Sequence, residues 1–263
     1  MIYKTDALVL NITPYSNTSR IVTWLTPEAG RLTTMIKGAC RPKSPFLGQF
    51  DYFYTCELLY YQRQKHGLCI ARACTPLRFR PRFRTDWRAY ACASYLTHLV
   101  HHSSYSGHHG AIFQLAEKTL DLLESEGASL PLLLWAELAL LELLGVSPQV
   151  DLCVRCRCSI DASRGRAFSE RAGGLVCVGC LTPHDTAIEL SADLVSLVRR
   201  WQQAADFRML RTTQLTSQQI LVFKRIMGIF LAYHLESPPE YRDMAFALAA
   251  ASRGTRHTET SCA

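Results

Sequence analysis

The sequence predicts an α+β multidomain chain, with a five-stranded β-barrel at the N-terminus and a mainly helical body interrupted by a four-cysteine insert. Three observations carry this reading. Short β-rich segments separated by turn signals fill roughly the first 75 residues. From Asp86 onward, apolar positions recur at three- and four-residue spacing. Between helical stretches lie two Cys-x-x-Cys pairs, separated by twenty residues.

The barrel segments fall near 4–12, 19–25, 31–37, 50–61 and 67–74, each rich in Val, Ile, Leu, Thr and Tyr. Turn residues punctuate them: Pro14-Tyr15-Ser16-Asn17, Pro27-Glu28-Ala29-Gly30, Pro42-Lys43-Ser44-Pro45 and Lys65-His66-Gly67. Five short strands in a small basic module predict an OB-fold; an SH3-like barrel would read much the same from sequence.

Helices are expected over 87–100, 111–124 and 132–144. The third, Leu132 to Leu141, is apolar nearly all round, as a helix buried among others must be. Gly145 and Pro148 stop it. Further helices are expected near 191–204 and 216–235, the latter closed by Pro238-Pro239, with a polar tail from Ser252. The expected division is residues 1–80 for the OB-fold, 81–150 for a helical domain and 151–185 for a zinc-finger insert. C-terminal helices over 186–250 complete the helical domain, and 251–263 form the tail.

Composition bounds the function. The chain has 263 residues, 48% hydrophobic and 19% charged, which fits a packed globular protein rather than a disordered one. Net charge is +7, but residues 1–85 hold 13 Lys and Arg against 4 Asp and Glu. A basic first third beside a near-neutral remainder suits a module that meets a polyanion. An acidic residue, Asp6, precedes any long apolar stretch, so no secretory signal is expected. Glu137 and Glu142 interrupt the most apolar window, and it falls short of a bilayer span. A soluble cytoplasmic protein with no membrane partner is expected, in which eleven cysteines mean metal or buried thiols rather than disulfides.

The paired hooks Cys153-x-x-Cys156 and Cys177-x-x-Cys180 form a strong zinc signature, because each curls two thiolates toward one ion. Four sulfur ligands leave no coordination position for water, so the expected zinc is structural. Gly173-Gly174 would supply the tight turn before the second hook. Cys158 competes with Cys156 for a place in the coordination sphere.

Gly38-Ala39-Cys40-Arg41-Pro42-Lys43-Ser44 lacks the second glycine of a phosphate-binding loop and reads instead as a basic loop that meets DNA backbone. On the preceding strand, period-two alternation places Arg31 and Lys37 on one face and Leu32 and Ile36 on the other. Arg63 and Lys65 lie in the turn between the last two strands, where OB-folds contact oligonucleotides. Arg31, Lys37, Arg41, Lys43, Arg63 and Lys65 are therefore the candidate DNA-binding residues. Trp24, near Arg20, offers a ring for base stacking, a role that competes with a place in the core.

Arg78-Phe79-Arg80-Pro81-Arg82-Phe83-Arg84 alternates cations with rings or proline. It reads either as a nucleic-acid contact or as a linker with docked Phe residues and solvated arginines. His98, His101, His102, His108 and His109 cluster at a helix end, without a carboxylate partner that would make them a metal site. No paired carboxylates, nucleophile elbow or HExxH motif stands in the sequence, so an enzyme is not expected.

The order of these pieces resembles the RecO family. Asp6 to Leu10, Tyr15 to Gly30, Lys37 to Ser44 and Leu140 to Pro148 carry the resemblance, as does Tyr233-His234-Leu235. Its most specific part is Phe168-Ser169-Glu170-Arg171-Ala172-Gly173-Gly174-Leu175-Val176-Cys177. Departures are Arg157 where a glycine usually follows the first hook, the stretch Gln49 to Tyr52, and Pro239 to Asp243. The resemblance implies a recombination mediator that binds single- and double-stranded DNA and anneals complementary strands. It would engage the acidic tail of single-strand-binding protein and, with RecR, help load RecA, in a cytoplasmic and nucleoid-associated setting. By motif position, Lys37, Arg41 and Lys43 fall in the family's basic DNA-contact stretch, and the four hook cysteines match the zinc ligands present in part of the family. A zinc-ribbon DNA- or RNA-binding regulator without annealing activity is the alternative.

Overall fold

A computed structural model describes residues 1–61, 67–103, 107–160, 167–185, 187–204, 206–210, 213, 215–236 and 238–251. The N-terminal module is a closed barrel of β1 (Ile2–Pro14), β2 (Arg20–Thr26), β3 (Gly30–Ile36), β4 (Thr55–Tyr61) and β5 (Cys69–Arg78). The strands close in the order β1-β2-β3-β5-β4. All neighbours are antiparallel except β3 and β5, which meet in parallel at Thr34–Cys69 and Met35–Ile70. This is OB-fold topology, and it resolves the ambiguity with an SH3-like barrel.

The barrel interior holds Val9, Val22, Ile36 and Leu58, with Trp24 fully buried among them. Trp24 donates its indole N–H to Thr34 Oγ1 at 2.9 Å, which satisfies the one polar atom that burial would strand. Its role is therefore core, and the stacking role is set aside.

A 3-10 turn, Pro81–Arg84, leads into α1 (Trp87–His102), capped by Asp86, whose carboxylate accepts from the backbone N–H groups of Arg88 and Ala89. Then follow α2 (His109–Glu126) and α3 (Leu130–Leu143). The latter has Pro131 in its first turn and Gly145 in the left-handed region beyond its end. The insert contributes a three-stranded antiparallel sheet of β6 (Ala167–Ser169), β7 (Gly174–Val176) and β8 (Ile188–Glu189), with β6 central. The chain finishes with α4 (Ala192–Gln202), α5 (Ser217–Leu235) and α6 (Pro239–Ala251). As its apolar composition requires, α3 is buried over most of its length in the core shared by α1, α2, α4, α5 and α6.

One expectation about the helices is revised. Pro239 does not simply close a helix: it opens α6, because proline is at home in a first turn whose N–H groups have no helical partner. The α5 helix ends at Leu235 as expected, and Glu236 turns the chain there at φ +50°.

The arginine run is not a linker of free, solvated arginines: its side chains are paired within the protein. Arg80 is buried, donating to Asp121 at 2.6 and 2.8 Å, to Glu117 at 3.2 Å and to the Phe53 carbonyl at 2.7 Å. Arg78 pairs with Glu117 and Asp121, Arg82 donates to the Glu124 carbonyl, and Arg84 reaches Asp51 and Tyr54. Of the two rings, Phe83 is buried and Phe79 is exposed. The alternation in the sequence thus encodes a clamp between barrel and α2. No helix among the described residues is long and apolar enough to cross a membrane.

Candidate metal centre and nucleic-acid interface

The insert gathers four sulfur atoms at one point. The Sγ atoms of Cys153, Cys156, Cys177 and Cys180 all lie within 4.8 Å of one another. A tetrahedron with Zn–S bonds of about 2.3 Å has edges of about 3.8 Å, and Cys156 and Cys177 stand 3.8 Å apart. The donor set, its closure and its spacing fit a structural zinc ion. Cys158 lies 3.2 Å from Cys156 but outside the group of four.

Backbone geometry shapes each hook. The Arg157 N–H donates to the Cys153 carbonyl and the Cys180 N–H to the Cys177 carbonyl, tightening each loop around its thiols. Burial pushes the Cys153 thiol up, but backbone N–H groups of Cys156, Cys177 and Arg155 outweigh it and bring the pKa down to about 6. Such a thiol is readily deprotonated for metal binding. Arg157 holds φ +60°, a left-handed conformation that strains any side chain other than glycine.

The glycine pair has two distinct jobs. Gly173 sits at φ +82°, making the turn. Gly174 lets the backbone of Gln149 approach: a Cβ there would stand 2.2 Å from the Gln149 carbonyl oxygen. The Leu175 N–H then donates to the Gln149 carbonyl at 2.8 Å and the Gln149 N–H to the Gly173 carbonyl at 2.9 Å, which ties the insert to the end of the helical domain.

Sequence reasoning missed the residue that holds the insert's two hooks together. The Asp185 carboxylate is almost wholly buried and accepts two hydrogen bonds from Arg155 at 2.8 Å. It also accepts from Ser169 Oγ at 2.6 Å and from Thr182 N and Oγ1 at 2.8 Å each. The Arg155 guanidinium, with these donors, holds the carboxyl well below its ordinary range. Arg155 donates as well to the Cys180 carbonyl, so a residue of the first hook grips the second. On the other side, His234 of α5 meets the Glu170 carbonyl at 2.9 Å, and Phe230 packs on Phe168 at 5.8 Å.

On the barrel, Lys37, Arg41 and Lys43 are all exposed, and none forms an ion pair among the described residues. Their loop is pinned: the Gly38 N–H donates to Ser19 Oγ at 3.2 Å and the Cys40 N–H to the Thr18 carbonyl at 3.0 Å. Gly38, at φ +66°, lets the Arg41 side chain lie close over the turn. Arg31 shares the outward face of β3 but is engaged, donating to the His101 carbonyl at 2.7 Å. Arg63 and Lys65 lie outside the described residues.

The chain matches two family models. Residues 1–79 match the family described as Recombination protein O N terminal, and 84–243 match Recombination protein O C terminal. A protein named DNA repair protein RecO from Syntrophus aciditrophicus is 31% identical over 181 residues, covering 68% of this chain and 70% of the relative. Another of that name from Rhodopirellula baltica is 31% identical over 201 residues, 73% and 72% of the two chains. A third, from Alkaliphilus metalliredigens, is 25% identical over 238 residues, 90% and 95%.

Proposed function

Because the chain belongs to the RecO family of DNA repair proteins, we propose that it is a recombination mediator without a catalytic centre. It binds single- and double-stranded DNA, anneals complementary strands coated with single-strand-binding protein and, with RecR, helps load RecA. It works in the cytoplasm at the nucleoid. The observation that carries the reading is the trio Lys37, Arg41 and Lys43, exposed and unpaired on a loop whose backbone is fixed. Cations left free of carboxylates can neutralise phosphates and release their counterions. Arg31, on the same outward face of β3, extends this basic surface, and Arg63 and Lys65 are assigned to DNA binding as well. Two strands held there repel each other less, which favours pairing.

Zinc at Cys153, Cys156, Cys177 and Cys180 would supply structure alone, since a closed four-thiolate set has no place for water. The acidic, apolar tail of single-strand-binding protein would lie in a groove of about 340 Å³ between α2, α3 and α4. Trp135, Trp201 and Leu143 line that groove, together with Glu142 and with Lys118, which pairs with Asp206 at 3.1 Å. A second hollow beside it, of about 420 Å³, shares Lys118 and adds Arg208, but the carboxylates of Glu117, Asp121 and Asp206 make it the poorer fit for an acidic tail. The functional division runs 1–80, 81–150, 151–185 and 186–250, with 251–263 as a tail.

The test is annealing of complementary oligonucleotides precoated with the cognate single-strand-binding protein. Acceleration that disappears when that protein's acidic tail is deleted supports the mediator reading. No acceleration by zinc-loaded, folded protein refutes it.

A further inference from the structure

Where the barrel meets α1 and α6, a cleft of about 510 Å³ opens that none of the candidate DNA-binding residues lines. It is within the size range of small-molecule sites. Its walls carry Tyr52, Tyr90 and Tyr241, each partly exposed, and the imidazoles of His98, His101 and His102. The rings are ordered against each other. His98 lies nearly flat on Tyr241, centroids 4.3 Å apart and planes 23° apart, and His102 follows at 4.1 Å. Two ring nitrogens, His98 Nε2 and His101 Nδ1, are shielded from solvent and have no hydrogen-bond partner among the described residues, so a ligand meets these rings by their faces and remaining edges.

The chemistry of the walls selects the ligand. Among the described residues, no carboxylate, Lys or Arg lines the cleft. Burial, and then the neighbouring histidines, press His98 and His101 toward the neutral form, in which each ring offers one donor and one acceptor. A bare phosphate would find no cation, and a metal ion no converging set: among the described residues the four cysteines are the group that converges. What suits flat rings and mixed donor-acceptor edges is a flat heterocycle with the same two properties.

Position points the same way. Arg31, whose guanidinium binds the carbonyl of His101, stands beside the cleft. Lys37 lies six residues further along the same face of β3, about 20 Å away at strand spacing. A strand whose phosphates follow β3 from the basic loop arrives beside the histidines. We propose that the cleft receives an unpaired nucleobase from a single strand tracked along β3, stacked on the tyrosine rings and hydrogen-bonded to the imidazole edges. The proposal rests on the DNA-binding reading above and adds to it a base-accepting site that duplex DNA, with its bases stacked inside, does not fill.

The experiment uses the full zinc-loaded chain and a thymine-rich oligonucleotide, single-stranded or annealed to its complement. The paired substitution His98→Leu/Tyr241→Leu should weaken single-strand binding about tenfold, the scale of one stacked base, and leave duplex binding unchanged. An equal effect on both, or none on either, overturns the proposal. The wild-type protein gives an independent measurement by photo-crosslinking to an iodouracil-bearing single strand. Adducts on the peptides carrying Tyr90 or Tyr241 support the site; adducts confined to residues 20–44, or no adduct, refute it. The parent reading fails separately, by loss of neither duplex nor single-strand affinity in Lys37→Glu/Arg41→Glu.

Discussion

Arg242, in the first turn and a half of α6, grips Glu137 at the centre of α3 with two hydrogen bonds, Nε to Oε1 at 2.7 Å and Nη2 to Oε2 at 3.0 Å. Both side chains are buried, and the Tyr95 hydroxyl donates to the same carboxylate at 2.5 Å. The guanidinium lies 4.2 Å from the centre of the Phe246 ring, and Gly228 of α5 leaves it room, since a Cβ there would come within 2.9 Å of Nη1. Three elements distant in sequence are thereby joined through one ion pair.

Removing one partner should cost far more than removing both. Arg242→Ala leaves a bare carboxylate in the core and is expected to lower stability by about 3–5 kcal/mol. Tyr95→Phe/Glu137→Leu/Arg242→Met, which replaces the polar group entirely, should recover most of that. Denaturant unfolding of the zinc-loaded proteins compares them; a triple variant no better than Arg242→Ala would contradict the argument.

The basic loop should act on DNA and not on the fold. Lys37→Glu/Arg41→Glu is expected to reduce affinity for single strands and duplex alike. The dependence of log affinity on log salt should flatten by about 2, one for each phosphate no longer neutralised. Titrations at several salt concentrations, with zinc content and circular dichroism as controls, decide it.

Asp185 should govern zinc retention although it is not a ligand. Asp185→Asn cannot accept the two charged hydrogen bonds from Arg155, and the guanidinium that grips the Cys180 carbonyl is no longer held in place. A roughly tenfold loss in zinc affinity is expected, the scale seen when groups that orient ligands are removed. Competition with a chromophoric chelator measures it, and unchanged retention would show that the hooks stand without the tie.

Stability should decline in mild acid through the histidine cleft. His98 and His101 bind protons less readily in the folded chain than at their ordinary value of 6.5. The unfolded chain therefore takes up more protons below that value, and stability present above it is lost as pH falls through the lower folded values. Thermal unfolding from pH about 7.5 to about 5.5 should shift downward, and less so in His98→Gln/His101→Gln.

What could be read from the sequence was what is encoded locally. Each cysteine hook lies within four residues, so spacing alone identified it, and the strands of the barrel announced themselves by turn residues. The alternation at Arg31 to Lys37 placed the correct side chains outward. Tertiary partners were hidden. The arginines between Arg78 and Arg84 carry the same charge whether they face DNA or Glu117 and Asp121, and nothing near them in the chain names those carboxylates. Arg155 and Asp185 stand thirty residues apart. Tyr241 and His98 meet only because α6 packs on α1, and α6 itself was masked by a proline pair that reads equally as a stop or a start.

The docking of α6 on α1 also bears on how the protein is born. The barrel's last strand is complete at Arg78, so the first module has all its partners early in synthesis. The helical body does not: Cys92 of α1 lies against the Ala245 carbonyl, 153 residues later in the chain. Glu137 likewise waits for Arg242. Since domains form as units from the N-terminus during translation, a ribosome-bound chain ending before α6 should display a protease-resistant barrel on a protease-sensitive body. The emergence of α6 is then what locks the body shut.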